Sequence, residues 1–282
     1  MVVKYNIEIM LDNRGKNFVK YFGEKIAMNW EYFLIHTDII KERGLDIGFK
    51  LYGAGHLIWL AAIIVGIILW SGYYKTLTEG TQARVRKFFA VAIMLSEIIK
   101  DAILIYGDAP MKGYLPLHLC GLAIFVMLAD AFLDFREITG QMLTLAFMPG
   151  ACAALLFCNW TEYPFFNFMN IHSFVFHAWI ICYVIMIYRN GEARPEYKGL
   201  WKVIGMIAVI AVPIYFVNKA LEENYLFISE ASEGSPLVFL WDIFGTRFGE
   251  IGYIASYGVF VITVLHVLFV VYTFTNKRVK KR

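Results

Sequence analysis

Charge is what this sequence has little of. Only 17% of its 282 residues are charged and 59% are hydrophobic, against about 25% charged and 45–50% apolar in ordinary soluble domains. No polar stretch is large enough to fold as a separate soluble domain. Cysteine is scarce too. The four residues Cys120, Cys152, Cys158 and Cys182 all lie inside or at the edges of apolar runs, which excludes a disulfide framework and a paired-cysteine metal motif. A net charge of +3 gives no basis for a nucleic-acid partner. Between Met1 and Lys50 charges recur throughout and no apolar core stands out, so no cleavable signal is expected and the first true span directs insertion.

What the chain does have is long apolar runs, and a mean hydropathy of +0.58. A helix needs roughly 20 apolar residues to cross about 30 Å of hydrocarbon, and a helix satisfies its own backbone polar groups in lipid. Seven runs fit: Tyr52–Tyr74, Phe88–Gly107, Tyr114–Leu133, Gly140–Cys158, Phe168–Tyr188, Leu200–Val217 and Ile251–Phe274. The expected fold class is therefore all-α, a polytopic membrane bundle of about seven transmembrane helices. Residues 51–274 form that domain. It follows a charged segment, 1–50, and precedes a basic tail, 275–282. Pro149 and Pro213 fall inside runs and predict kinks. Near the N-terminus, Phe18, Phe22, Ile26, Trp30 and Phe33 recur at helical spacing, so an amphipathic helix is expected over 17–36.

Lysine and arginine in short loops set orientation. They gather after the first run (Lys75, Arg84, Arg86, Lys87), after the third (Arg136), after the fifth (Arg189, Arg194, Lys198) and at the C-terminus. That alternation suits seven spans with the N-terminus outside and the C-terminus cytoplasmic, in a multi-pass protein of the cell membrane. The acidic, aromatic loop 218–250 reads equally as a cap over the bundle or as a plain surface loop.

Ionisable side chains inside spans are costly and mark function by default. Here they crowd toward the outer half: His56 in the first run, Glu97, Lys100 and Asp101 in the second, His118 and Cys120 in the third, His172 and His177 in the fifth. Glu97, Lys100 and Asp101 share one helix face, as a self-neutralising cluster or as a headgroup-holding group. His56 and His172 suit structural hydrogen bonds, and no role falls to His36 or His266. Asp130 and Asp134 at the inner end read as solvated. No histidine pair has metal-ligand spacing on one helix face, so no metal or other cofactor is expected.

The segment Tyr114-Leu115-Pro116-Leu117-His118-Leu119-Cys120-Gly121 resembles the LPLHLC signature of the YwaF family of integral membrane proteins, related to the transmembrane protein 164 acyltransferases. His177-Ala178-Trp179-Ile180-Ile181 is similar to that family's later histidine, and the resemblance covers roughly Leu51 to Phe274. It implies a lipid acyltransferase acting on phospholipid or another lipid, with Cys120 as nucleophile and His177 as base. The chemistry is self-consistent, because a thiol buried among carbon needs a histidine within reach to take its proton. His118, two residues from Cys120, points away from it on a regular helix unless Pro116 distorts the turn. His172 is the reserve base, and Glu97, Lys100 and Asp101 are the supporting groups. The expected partners are membrane lipids. A different class stays open: a transporter or small-ligand permease whose outward cavity is lined by the same polar residues.

Overall fold

A computed structural model of the chain describes residues 32–107, 109–133, 135–191, 193–232 and 234–279, with side chains as far as Phe274. Every regular element among them is helical. In chain order they are α1 Thr37–Glu42, α2 Ala54–Tyr74, α3 Glu79–Tyr106 and α4 Leu119–Phe132. There follow α5 Arg136–Leu156, α6 Phe168–Arg189, α7 Tyr197–Leu221 and α8 Leu237–Phe274. Most of the amphipathic helix expected over 17–36 lies outside the described residues. From Phe33 to His36 the backbone is not helical, and helix begins at Thr37.

Five of these helices, α2, α5, α6, α7 and α8, are long and apolar enough to cross a membrane, which makes this a multi-pass membrane protein. The two remaining runs depart from expectation for physical reasons. α3 starts nine residues before Phe88 and takes in Arg84, Arg86 and Lys87. Its apolar side chains Met94, Leu95, Ile98 and Ile99 are exposed, while Arg86, Ala90, Ile93, Lys100 and Leu104 form a buried stripe on the other face. Arg86 and Lys100 turn inward and the oily face turns outward, while Arg84 and Lys87 stay exposed. α4 has only 14 residues, roughly 21 Å of helix. Its apolar run begins earlier, but Met111–Tyr114 form a 3-10 turn and the chain turns again at Pro116 and Leu117 before helix starts at Leu119.

α5 and α6 form the centre of the bundle. α2 and α3 pack on α6, the second half of α5 packs along α6, and α7 meets α8 on the far side. α5 is irregular where Pro149 removes a backbone donor: residues Leu143–Phe147 form a π-helical turn, and Met148 N–H reaches back to Leu143 O. π-Bulges interrupt helices at functional sites more often than elsewhere. The loop after α7 is a cap rather than a plain surface loop. Asn218 bonds Tyr225 through both its amide groups, and Tyr253 and Tyr257 of α8 donate to the carbonyls of Phe227 and Leu226. At Gly249, φ of +66° requires glycine and bends α8 below that cap.

One further expectation fails at the opposite end. Asp130 is not solvated but buried, with 3% of its surface exposed. Its carboxylate accepts the Thr139 hydroxyl at 2.9 Å and the Tyr183 hydroxyl at 2.7 Å. A buried carboxylate needs such donors. Asp134 lies outside the described residues.

Candidate functional site

The signature segment folds in an unexpected way. His118 is the N-cap of α4, with extended backbone (φ −70°, ψ 157°), and helix starts at Leu119. Pro116 lies so close to α4 that a Cβ on Gly121 would sit 2.7 Å from the Pro116 Cα. Glycine is what lets the turn at Pro116 pack against the helix. Because His118 and Cys120 are not on one regular helix, the two-residue spacing does not separate them, and both line one cavity. The distortion comes from Pro116 and Gly121 together.

That cavity has a volume of about 850 Å³, inside the range of roughly 300–1,000 Å³ that holds a whole small ligand. Its lining includes Cys120, His118, His172, His177, Glu97 and Lys100. Asp101 does not line it; it stands behind Lys100, 3.2 Å from the ammonium. Lys100 also bridges to Glu97, so one buried cation serves two carboxylates. Glu97 Oε2 is 3.7 Å from His172 Nε2, and the His172 ring stacks on Phe176. His118 packs its ring against Tyr225 and Phe227 of the cap.

His177 is held on two sides. Its Nδ1 is 2.6 Å from the Ser173 carbonyl oxygen. A carbonyl can only accept, so Nδ1 carries the hydrogen and Nε2 is left with the lone pair. The ring stacks on Trp160, centroids 5.3 Å apart and planes 11° apart. Cys120 occupies the first turn of α4, where amides have no intrahelical partner and no side chain caps them. His56, by contrast, is fully buried with both nitrogens used, by Tyr52 N–H and the Leu155 carbonyl; it is structural. His266 bonds within its own helix. Cys158 and Cys182 are buried filler and Cys152 is half-buried. No cluster that could hold a metal exists among the described residues.

Several lining residues carry no signal of their own in the sequence. Trp160, Glu162 and Tyr163 come from the α5–α6 loop, and Thr37 and Lys41 from α1. α1 forms part of the cavity wall. His36 accepts Asp38 N–H and bonds Tyr114 Oη at 2.6 Å, Lys41 pairs with Glu162 at 3.2 Å, and Asn167 donates to the carbonyls of Tyr32 and Ile35. Burial pushes the Tyr114 and Tyr163 phenols above the usual tyrosine range, so both remain protonated donors. The Ser173 carbonyl was out of reach of any side-chain argument, since every residue type has one.

Residues 51–273 match the family model described as the TMEM164 family. No curated protein and no solved structure matches the chain.

Proposed function

The chain belongs to the TMEM164 family, and on that premise we propose that it is a membrane-embedded lipid acyltransferase working through a Cys120–His177 acyl-enzyme. The observation that carries the proposal is the shared cavity. One lining residue is a thiol in an uncapped helical first turn, and another is an imidazole whose Nδ1 is committed to a carbonyl while Nε2 keeps its lone pair.

The chemistry runs in two halves. Cys120 Sγ attacks the ester carbonyl of a donor lipid while His177 Nε2 takes the thiol proton. The oxyanion is met by the first-turn amides of α4, where the helix end favours negative charge. As the intermediate collapses, the C–O bond breaks and His177 returns the proton to the departing alkoxide, leaving a thioester on Cys120. An acceptor hydroxyl then attacks the thioester, giving its proton to His177, and the thiolate leaves and regains that proton. Trp160 and the Ser173 carbonyl hold the ring still through both halves. Glu97, Lys100, His118 and His172 form the polar end, where a headgroup sits, and Asp101 supports Lys100 from behind.

The same reading takes α3 and α4 as two more spans, for seven in all, with the N-terminus outside, the C-terminus cytoplasmic and the site in the outer half of the cell membrane. The outward apolar face of α3 supports it.

Labelling with an acyl-phosphonate or thiol-directed acyl probe tests the proposal. A covalent adduct is expected on Cys120 in the wild type, absent in Cys120→Ala and kept in Cys152→Ala. Solute flux in proteoliposomes that survives Cys120→Ala, with no adduct in the wild type, would replace the enzyme by a permease.

A further inference from the structure

We propose that α8 is the ruler of the site: it sets the length of acyl chain accepted, with Val264 and Leu268 as the stops. The inference rests on reading the cavity as the acyl site and names the residues that give it specificity.

Seven residues of α8 line the cavity, and four of them, Tyr257, Val261, Val264 and Leu268, run along its length. Their spacing of four, three and four puts them on one helical face, so the cavity follows α8 over eleven residues, roughly 16 Å. The upper end belongs to the polar site, because Tyr257 donates to the carbonyl of Leu226 in the cap at 3.1 Å. From there downward the facing walls are Ile207 and Ile210 of α7 and Leu145 and Phe147 of the π-helical turn in α5. None of these carries charge or a hydrogen-bonding side chain, so this arm accepts hydrocarbon and rejects a headgroup.

The lower end is bounded by packed side chains. Both α7 and α8 touch the π-helical turn, and Leu145, Phe147 and Leu265 are almost fully buried where they meet. Just below Leu268, Tyr272 packs its ring on Tyr188 and donates to the Ala193 carbonyl at 3.1 Å. A chain threaded from the Cys120 end therefore runs along α8 and stops at Leu268. The arm suits an extended long-chain acyl group, and bulk added one turn higher, at Val264, would shorten it.

The test uses the full chain in lipid nanodiscs and two readouts over a series of octanoyl, dodecanoyl, hexadecanoyl and octadecanoyl compounds. One is loading of Cys120 by the p-nitrophenyl esters; the other is thermal stabilisation by the free fatty acids, which needs no chemistry. Val264→Trp should cut hexadecanoyl loading and stabilisation by about tenfold or more while leaving octanoyl within about twofold, the scale on which apolar pockets sort chains. Leu268→Ala should move the preference the other way, toward octadecanoyl. An unchanged profile in both variants, an equal fall at every length in both, or no stabilisation by any fatty acid would overturn the proposal. Should fatty acids sort by length as stated while no ester ever loads Cys120, the ruler stands and the acyl-enzyme reading falls.

Discussion

The carbonyl oxygen of Ser173 lies 2.6 Å from Nδ1 of His177, one turn back along the same helix. That contact fixes which nitrogen of the ring can act as a base, and it does so with backbone, which no substitution at Ser173 removes. The role of His177 is thus tested at His177 itself. His177→Ala should lower the rate of Cys120 acylation by about 10²–10⁴-fold, the usual contribution of a positioned base, and His177→Gln should do nearly the same, since an amide is no base. The rate of adduct formation by mass spectrometry checks both. Loss of less than a few-fold would point to His172 as the base instead.

Trp160 is expected to hold the His177 ring rather than to react. Stacked aromatic pairs contribute about 0.5–1.5 kcal/mol beyond their buried area, and a ring face also favours a cationic partner. Trp160→Phe should keep most of the acylation rate, whereas Trp160→Leu should lower it by roughly tenfold and leave Tm within a few degrees of the wild type. A Trp160→Leu protein that acylates at the wild-type rate would remove Trp160 from the mechanism.

Legibility in the sequence followed the kind of information each residue carries. Apolar runs located the helices well where the run and the helix coincide: Phe168–Tyr188 became Phe168–Arg189. They failed where polarity and backbone part company. Arg86 looked like loop because it is charged, yet it is buried in α3 against the Tyr74 hydroxyl. Leu115 and Leu117 looked like span because they are apolar, yet they belong to the turn before α4, where Leu117 N–H bonds the Leu115 carbonyl. The site was half legible. Cys120, His118 and His177 stood out as rare groups in apolar surroundings and share a cavity. Trp160, Glu162 and Tyr163 did not, because a loop has no period that says what it will fold against.

Gly121 offers a test of the signature that does not depend on its chemistry. A methyl at this position would meet Pro116 Cα, C and O at 2.7–2.8 Å, backbone atoms that cannot rotate away. Gly121→Ala should therefore push the turn at Pro116 off α4. The expected loss is about 1–3 kcal/mol, as for other overpacked sites, with a lower Tm in detergent and slower Cys120 acylation at temperatures where the protein is still folded. Pro116→Ala keeps the contact but frees the backbone, and should affect acylation more than Tm.

Asp130 separates stability from catalysis in the same molecule. Its carboxylate is buried at the end of the bundle away from Cys120 and is satisfied by two hydroxyls, from Thr139 and Tyr183. Tyr183→Phe removes one donor and leaves a buried lone pair with nothing in its place, which costs about 1–3 kcal/mol. Asp130→Asn keeps the size but turns one acceptor into a donor facing a hydroxyl that can rotate, so its cost should be smaller. Both variants should lower Tm, in that order, while the acylation rate per folded molecule stays at the wild-type value. A Tyr183→Phe protein with unchanged Tm but impaired acylation would mean that this carboxylate communicates with the site, and the division of the bundle into a working end and a supporting end would have to be abandoned.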